Sequence, residues 1–490
     1  MSAGVALFGA DLFGSDPALT IYNQNFAIVR ETVPLDLQAG INRIRYTGIT
    51  ARVEPDSVIL RDPSGKIVLR ILEQNYQSEP VSMYLLLALY EGKTIEFQKN
   101  DGKIVSGKII RVGLVPRPAS GLYAASNAVS YGPGSQTIVE IDGKLRFDLP
   151  GVPLFPALAD GAVLKPTIDW SIRADGASKL NAELGYVSTG LNWKADYNIV
   201  APEQDDRVEI SGWVTIENQS GKTFSNARIA LMAGEVNKQQ PGQLNSFARL
   251  GGGVAGSGYA GSPGPPVVEK PFDDYHLYTL QNATTLQDRE SKQVEFIRAL
   301  NVATNRIYVY DGAKIDGSRY PNWNYDAIRG NPEYGAASNP KVWIMREFVN
   351  SEANRLGMPL PKGNVRFYRR DQSGQIEFTG ENEIGHTPKG ETVQVYTGTA
   401  FDVVGERRRT DYQINHQNRT VDETFEIKLR NHKQTPLEVR VVERLYRGFS
   451  WKIAIETDQH RDKDSQTIEY RITVKPEEER VVKYSAHYTW

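Results

Sequence analysis

The chain of 490 residues contains no cysteine. That absence excludes a disulfide framework, thiol catalysis and thiolate metal sites, and it tilts the expected compartment toward the cell envelope or the exterior. Histidine is scarce as well. The six residues His276, His386, His416, His432, His460 and His487 show no HxH or HExxH spacing, so no metal site is expected. Neither sign of charge dominates: the net charge of −2 argues against a general nucleic-acid binder, which normally carries a basic excess. No apolar run approaches the roughly 20 residues a transmembrane helix needs. The first basic residue is Arg30, so the start of the chain lacks the basic n-region of an intact signal peptide; the expected form is a mature chain with any leader removed. Walker, dinucleotide-binding and GxSxG patterns are missing too. No catalytic residue and no cofactor are expected.

What is present points to β structure. Tyrosine is used 24 times against five methionines, and tyrosine with β-branched residues favours pleated, half-buried surfaces. The length exceeds one hydrophobic core and implies about two to four domains. Residues 1–16 form a separate N-terminal segment. From 17 to 80 the alternation of Leu19-Thr-Ile-Tyr-Asn, Phe26-Ala-Ile-Val-Arg and Ile41-Asn-Arg-Ile-Arg-Tyr, with a turn at Asp62-Pro-Ser-Gly, predicts an antiparallel β module that pairs with 156–200. Between 81 and 155, a short helical run from Val81 to Tyr90 precedes about four strands, with a hairpin turn at Asp142-Gly. This looks loosely like an inserted Sm/SH3-like barrel.

The region 156–404 reads as a central β-sandwich. Trp193, Ala195 and Tyr197 alternate, as do Val208, Ile210, Gly212, Val214 and Ile216. Its glycine-rich stretch 250–266 reads as a mobile surface loop. From 405 to 490 at least five alternating strands fit an immunoglobulin-like sandwich. The expected class is therefore mainly β and multi-domain, with β-sandwich domains plus a small inserted β-barrel.

Several blocks carry a family resemblance: Leu19 to Arg30, Gly190-Leu-Asn-Trp-Lys-Ala-Asp-Tyr, Gly357-Met-Pro-Leu-Pro, His386-Thr-Pro-Lys, and Asn431 to Trp490. Together they resemble a bacterial family of envelope proteins that ends in a domain of unknown function shared with mucoidy-inhibitor-like proteins. The resemblance implies a location in the periplasm, on the cell surface or outside the cell, and it brings no catalytic residues with it.

Two places carry residues of the kind that chemistry uses. His386 sits in a glycine-punctuated loop near Glu381, Glu383 and Glu391; the simpler reading is a turn whose side chains bond the backbone. Asp371-Gln-Ser-Gly reads as a hairpin loop. The aromatic set Tyr308, Tyr310, Tyr320, Trp323, Tyr325 and Tyr334 offers rigid contact area for sugar or protein, or packs as a satellite core. Arg407-Arg-Arg reads as a solvated or salt-bridged strand face. The functional expectation is a non-enzymatic structural or binding protein that self-associates or engages an envelope partner, glycan being the second partner class. The alternatives are a carbohydrate-binding protein, or a hydrolase of glycan or peptide with a carboxylate pair.

Overall fold

The computed structural model describes residues 17–77, 83–113, 136–156, 165–202, 206–234, 236, 238, 267–272, 275–313 and 324–490. The N-terminal segment 1–16, the glycine-rich stretch 250–266, Tyr320 and Trp323 lie outside the described residues. The chain is mainly β and divides into two compact units. The first comprises 1–192, 217–231 and 282–291, and the second comprises 193–216, 232–281 and 292–490.

In the first unit, Ala18–Tyr22 and Phe26–Leu37 form a hairpin, and Ser178–Thr189 pairs antiparallel along the whole outer side of the second strand. Strict alternation fixes this register. Ala182, Leu184, Tyr186 and Ser188 point inward, and a slip by one residue would turn all four to solvent. A three-stranded sheet follows, with Thr167–Ala174 between Gly40–Thr47 and Arg70–Gln77. Its central Trp170 is buried and donates its indole N–H to Gln74 Oε1 at 2.8 Å. One carboxylate is also internal. Glu31 receives Lys222 Nζ at 2.5 Å and the hydroxyls of Tyr46 and Tyr186 at 3.2 Å, so its burial is compensated.

The inserted region departs from expectation. Its strands run in the order Val152–Leu154, Thr94–Gln98, Ile104–Arg111, Ile138–Ile141, Lys144–Arg146, an open sheet rather than a closed barrel. The helix Met83–Leu89 covers one face through a core of Leu87, Tyr90, Ile95, Phe97, Ile109 and Val139. Closure fails at the edges, which are three residues long each, and one of them holds Pro153, which has no N–H to donate. The hairpin turn at Asp142-Gly is present, both residues having positive φ (49° and 70°), the conformation a two-residue primed turn requires.

Most of a five-stranded sheet belongs to the second unit, in the order Glu290–Ala303, Arg207–Asn218, Leu191–Ala201, Gly363–Arg370, Ile376–Ile384. Its inner faces carry the alternating residues Trp193, Ala195, Tyr197, Val208 and Ile210. A nine-stranded sheet also lies in this unit: Ser450–Glu456, Glu478–Thr489, Thr420–Asn431, Thr392–Asn415, Lys341–Val349, Asn305–Tyr310, Leu437–Arg444, Thr467–Val474 and His460–Asp464. The domain boundary expected at 404/405 falls inside the continuous strand Thr392–Asn415.

The two ends of that sheet are consecutive in sequence. Residues 457–459 alone join Glu456 to His460, a reach of at most about 14 Å. The sheet therefore curls into a roll that brings these two strand ends together, where Glu456 Oε2 lies 2.7 Å from His460 Nδ1. Inside the roll sits one core, built from Tyr310, Phe425, Ile427, Leu429, Val439, Val441, Tyr470 and Tyr484 among others. Gly405 is required there, because a Cβ at that position would stand 2.2 Å from the Tyr310 ring.

Strand ends are locked by buried asparagines. Asn431 donates its amide to the carbonyls of Thr435, Val474 and Lys475 and accepts the Lys433 N–H. Asn218 repeats the arrangement with Lys222, Leu286, Gln287 and Ser220. Each side-chain amide shares its two N–H groups among three carbonyls where the ladder stops.

On the outer face of the roll, Arg440 makes a two-pronged contact to Glu347 at 3.0 Å. Those hydrogen bonds hold the Glu347 carboxyl below its usual range against the opposing cost of partial burial. A carboxyl lowered in the folded state contributes stability above its unfolded pKa near 4.3 and loses it as pH falls through the folded value. Arg440→Ala is accordingly expected to flatten the decline of stability below about pH 4.3. Denaturant midpoints from pH 7 to 3 check this; parallel curves for variant and parent would contradict it.

Candidate functional site on the C-terminal sheet

Alternation along Thr392–Asn415 sends Arg407 and Arg409 into the roll and leaves Arg408 outside. Such charges survive burial only when paired. Arg407 Nε donates to both oxygens of Glu443 at 2.9 and 3.0 Å, with both side chains fully shielded. Tyr484 donates its hydroxyl to Glu443 Oε2 at 2.6 Å, and the Arg407 guanidinium lies 3.8 Å from the centre of the Phe425 ring. A second pair stands beside the first: Arg447 Nη2 donates to Glu423 Oε1 at 2.8 Å, and Arg409 Nη1 reaches the same oxygen at 3.3 Å. Burial pulls the Arg407 guanidinium down, but Glu443 and Tyr484 overcome it and hold it above its ordinary value. Burial, followed by Glu443, pushes the Tyr484 hydroxyl well up. Both therefore stay protonated.

These arginines hold down a segment of chain. The short helix Tyr325–Gly330 is capped by Asn324, whose side chain accepts the Ala327 N–H at 2.9 Å. At its far end the carbonyls have no partner within the helix. Arg447 supplies one, donating to Ile328, to Asn331 at 3.0 Å and to Tyr334 at 3.0 Å, while Arg407 Nη1 donates to Gly335 O at 2.7 Å. The segment 324–335 is thus fastened by buried charge instead of by a hydrophobic face.

Its outer side is aromatic. The Tyr325 ring is 37% exposed and lies 5.4 Å from that of Phe449, which is 69% exposed. Beneath them the Arg329 guanidinium sits between the Tyr325 and Trp490 rings, 5.2 and 4.8 Å from their centres. Arg329 Nε also donates to Arg447 O at 3.0 Å, and Nη1 approaches Asp326 at 3.2 Å. Cation–π contacts of this kind hold rings in place without hiding their outer edges.

The six aromatic residues singled out in the sequence divide accordingly. Tyr308 and Tyr310 are buried; the hydroxyl of Tyr310 donates to Asn339 O, and that of Tyr308 accepts Lys433 Nζ. Their surroundings are those of core residues. Tyr334 is half-buried and packs edge-on against Tyr446 at 5.4 Å. Tyr325 is the one among the described four that offers a ring to solvent. The sequence does not single out Phe449, Arg329 and Trp490: Phe449 and Trp490 stand 124 and 165 positions from Tyr325, beyond any local pattern, and only Arg329, four residues on in the same short helix, has a spacing that could have marked it.

The remaining candidates bond backbone groups. His386 Nδ1 accepts the Lys362 N–H at 3.2 Å, and Asp371 Oδ1 caps the N–H groups of Ser373 and Gln375. Among the described residues no group of three or more His, Asp or Glu side chains is placed to hold a metal ion. Glu423 and Glu443 are closed to solvent and neutralised by arginine, an unsuitable state for acid–base work on a substrate.

Residues 182–490 match one protein family, described as a domain of unknown function (DUF4139). No curated protein matches the chain.

Proposed function

We propose, for a chain that belongs to the DUF4139 family, a non-enzymatic binding and assembly role in the bacterial envelope or outside the cell, exercised through side chains rather than sheet edges. The observation that carries this reading is the exposed Tyr325–Phe449 pair on a segment fastened by Arg407 and Arg447. Aromatic contact area on a rigid base loses little entropy on binding and is the usual anchor of protein interfaces.

Addition of a partner strand is a weaker route at four of the outer strands among the described residues, which are blunted. Val152–Leu154 holds Pro153 and Val267–Phe272 holds Pro271. Ser450–Glu456 carries a bulge between Ile453 and Ile455, and His460–Asp464 is five residues of mostly charged side chains. Proline, bulges and charge are the devices that keep edges from pairing. The envelope location draws on the complete lack of cysteine and on the likeness to mucoidy-inhibitor-like proteins.

Light scattering across a concentration series, together with cell fractionation, tests the proposal. The parent should associate or sediment with envelope material, and Tyr325→Ala combined with Phe449→Ser should abolish this while leaving the melting temperature within about 2 °C, as expected for exposed positions. A parent that stays monomeric and stays out of the envelope fraction would refute the reading.

A further inference from the structure

We infer that the first unit carries a binding site for an acidic amino acid, in a polar cleft of about 490 Å³ lined by Arg52, Glu217, Gln219, Asp288, Arg289 and Glu290. This inference is independent of the assembly role.

Three turns frame the cleft: residues 51–52, 217–221 and 288–291. They are tied to one another and not simply adjacent. Ala51 N–H donates to Ser220 O at 2.9 Å, Arg289 N–H donates to Asn218 O at 2.7 Å, and the Asn218 amide bonds the carbonyls of Leu286 and Gln287. Two glycines with positive φ allow the close approach. A Cβ at Gly190 would stand 2.9 Å from Arg52 Cδ and 2.8 Å from Gln219 O, and one at Gly221 would stand 2.6 Å from Ala51 Cβ. The frame is therefore preformed, as small-ligand sites generally are.

The charged groups around it are unequally used. Asp288 accepts the Gly221 N–H at 2.9 Å, and Glu290 accepts the Gln287 N–H at 2.6 Å, so both acids serve the turns. Arg52 and Glu217 make no side-chain hydrogen bond or ion pair with the described residues. Arg289 has only a long 3.6 Å contact to Asp288; its side chain is 90% exposed, on a backbone held at φ 60°. A non-glycine residue held there is under strain, and such strain gathers at functional positions. What the cleft leaves unpaired is thus two guanidiniums and one carboxylate. Guanidiniums recognise carboxylates through paired hydrogen bonds, and a single free carboxylate suits an ammonium. Two carboxylates and one ammonium make an acidic amino acid. The volume falls in the range of small-ligand sites, and the polar lining suits a compact, charged occupant better than an apolar one.

Calorimetry on the full chain, with L-glutamate and with glutarate, which lacks the ammonium, decides the matter. Glutamate should bind, and more tightly than glutarate. Arg52→Ala and Arg289→Ala should each weaken it about tenfold or more, the worth of one charge-assisted contact, with the melting temperature of the unliganded protein unchanged. Glu217→Gln should bring glutamate down to the level of glutarate. Absence of binding by either probe, or equal binding by the parent and the double arginine variant, would overturn the site. Equal binding of the two probes by the parent would overturn its assignment to an amino acid.

Discussion

Glu443→Leu alone, or Arg407→Met alone, is expected to destabilise the second unit by about 3–5 kcal/mol, whereas the two together should cost far less. Each single change strands a charge in a space that admits no water: Glu443 and Arg407 are both fully shielded, and Glu443 also holds the Tyr484 hydroxyl. The double change replaces both charges by apolar volume, leaving the Tyr484 hydroxyl and the Gly335 carbonyl as the unpaired groups. Adding Tyr484→Phe should recover part of that remainder. Denaturant titration read by tryptophan fluorescence would report these costs. Single variants no worse than the double would mean that the pair is not buried as described. The Gly335 contact supplies a second readout: losing Arg407 should raise hydrogen exchange and protease cleavage in 324–335 before the rest of the unit opens.

The second large effect is expected at Asn431. Its amide donates to three carbonyls that belong to two different turns, those of Thr435 and of Val474 with Lys475. Asn431→Ala removes about three hydrogen bonds, near 3 kcal/mol at about 1 kcal/mol each. Asn431→Asp should be worse, although it is nearly the same size. Aspartate accepts hydrogen bonds but donates none when ionised, so it would set a negative charge against three carbonyl oxygens in a site that is 1% exposed. The ranking of Asp below Ala in midpoint is the diagnostic outcome. The reverse order would show that the three contacts do not hold the corner.

The asparagine corners illustrate how far local sequence carries. Asn218 and Asn431 each stand at the end of an alternating strand, followed by polar residues, so a turn is legible at both. That each amide reaches across to a second turn 68 or 43 positions away is not. The arginine run behaves similarly. Parity along Val403, Gly405, Arg407 and Arg409 places these residues on one face, and the burial of Val403 marks that face as internal. Alternation alone supports an inward Arg407, yet the expected solvated or salt-bridged strand follows from the cost of burying a charge without a known partner. The partners, Glu443 and Glu423, come from other strands.

The tyrosines mark the other limit. A tyrosine ring is apolar with a polar tip, so Tyr310 inside the roll and Tyr325 on its surface are equivalent residues to any local rule. The sheet decides between them: Tyr310 faces Gly405 and the core, whereas Tyr325 begins a helix held down by its far carbonyls.

By itself, the sequence determined what depends on neighbours in the chain. That covers the strand-rich class, the turns at Asp62-Pro-Ser-Gly and Asp142-Gly, the helix before the inserted sheet, and the exclusion of thiol chemistry. Periodicity, turn propensity and composition act over a few residues, and they are complete when those residues are known. Tertiary structure alone decided the open edges of the inserted sheet, the rolling of nine strands around one core, the pairing of buried arginines with distant glutamates, and the convergence of Arg52, Glu217 and Arg289 on one cleft. Each of these depends on which distant segments share a face, and that follows from the summed burial of the whole chain rather than from any stretch of it.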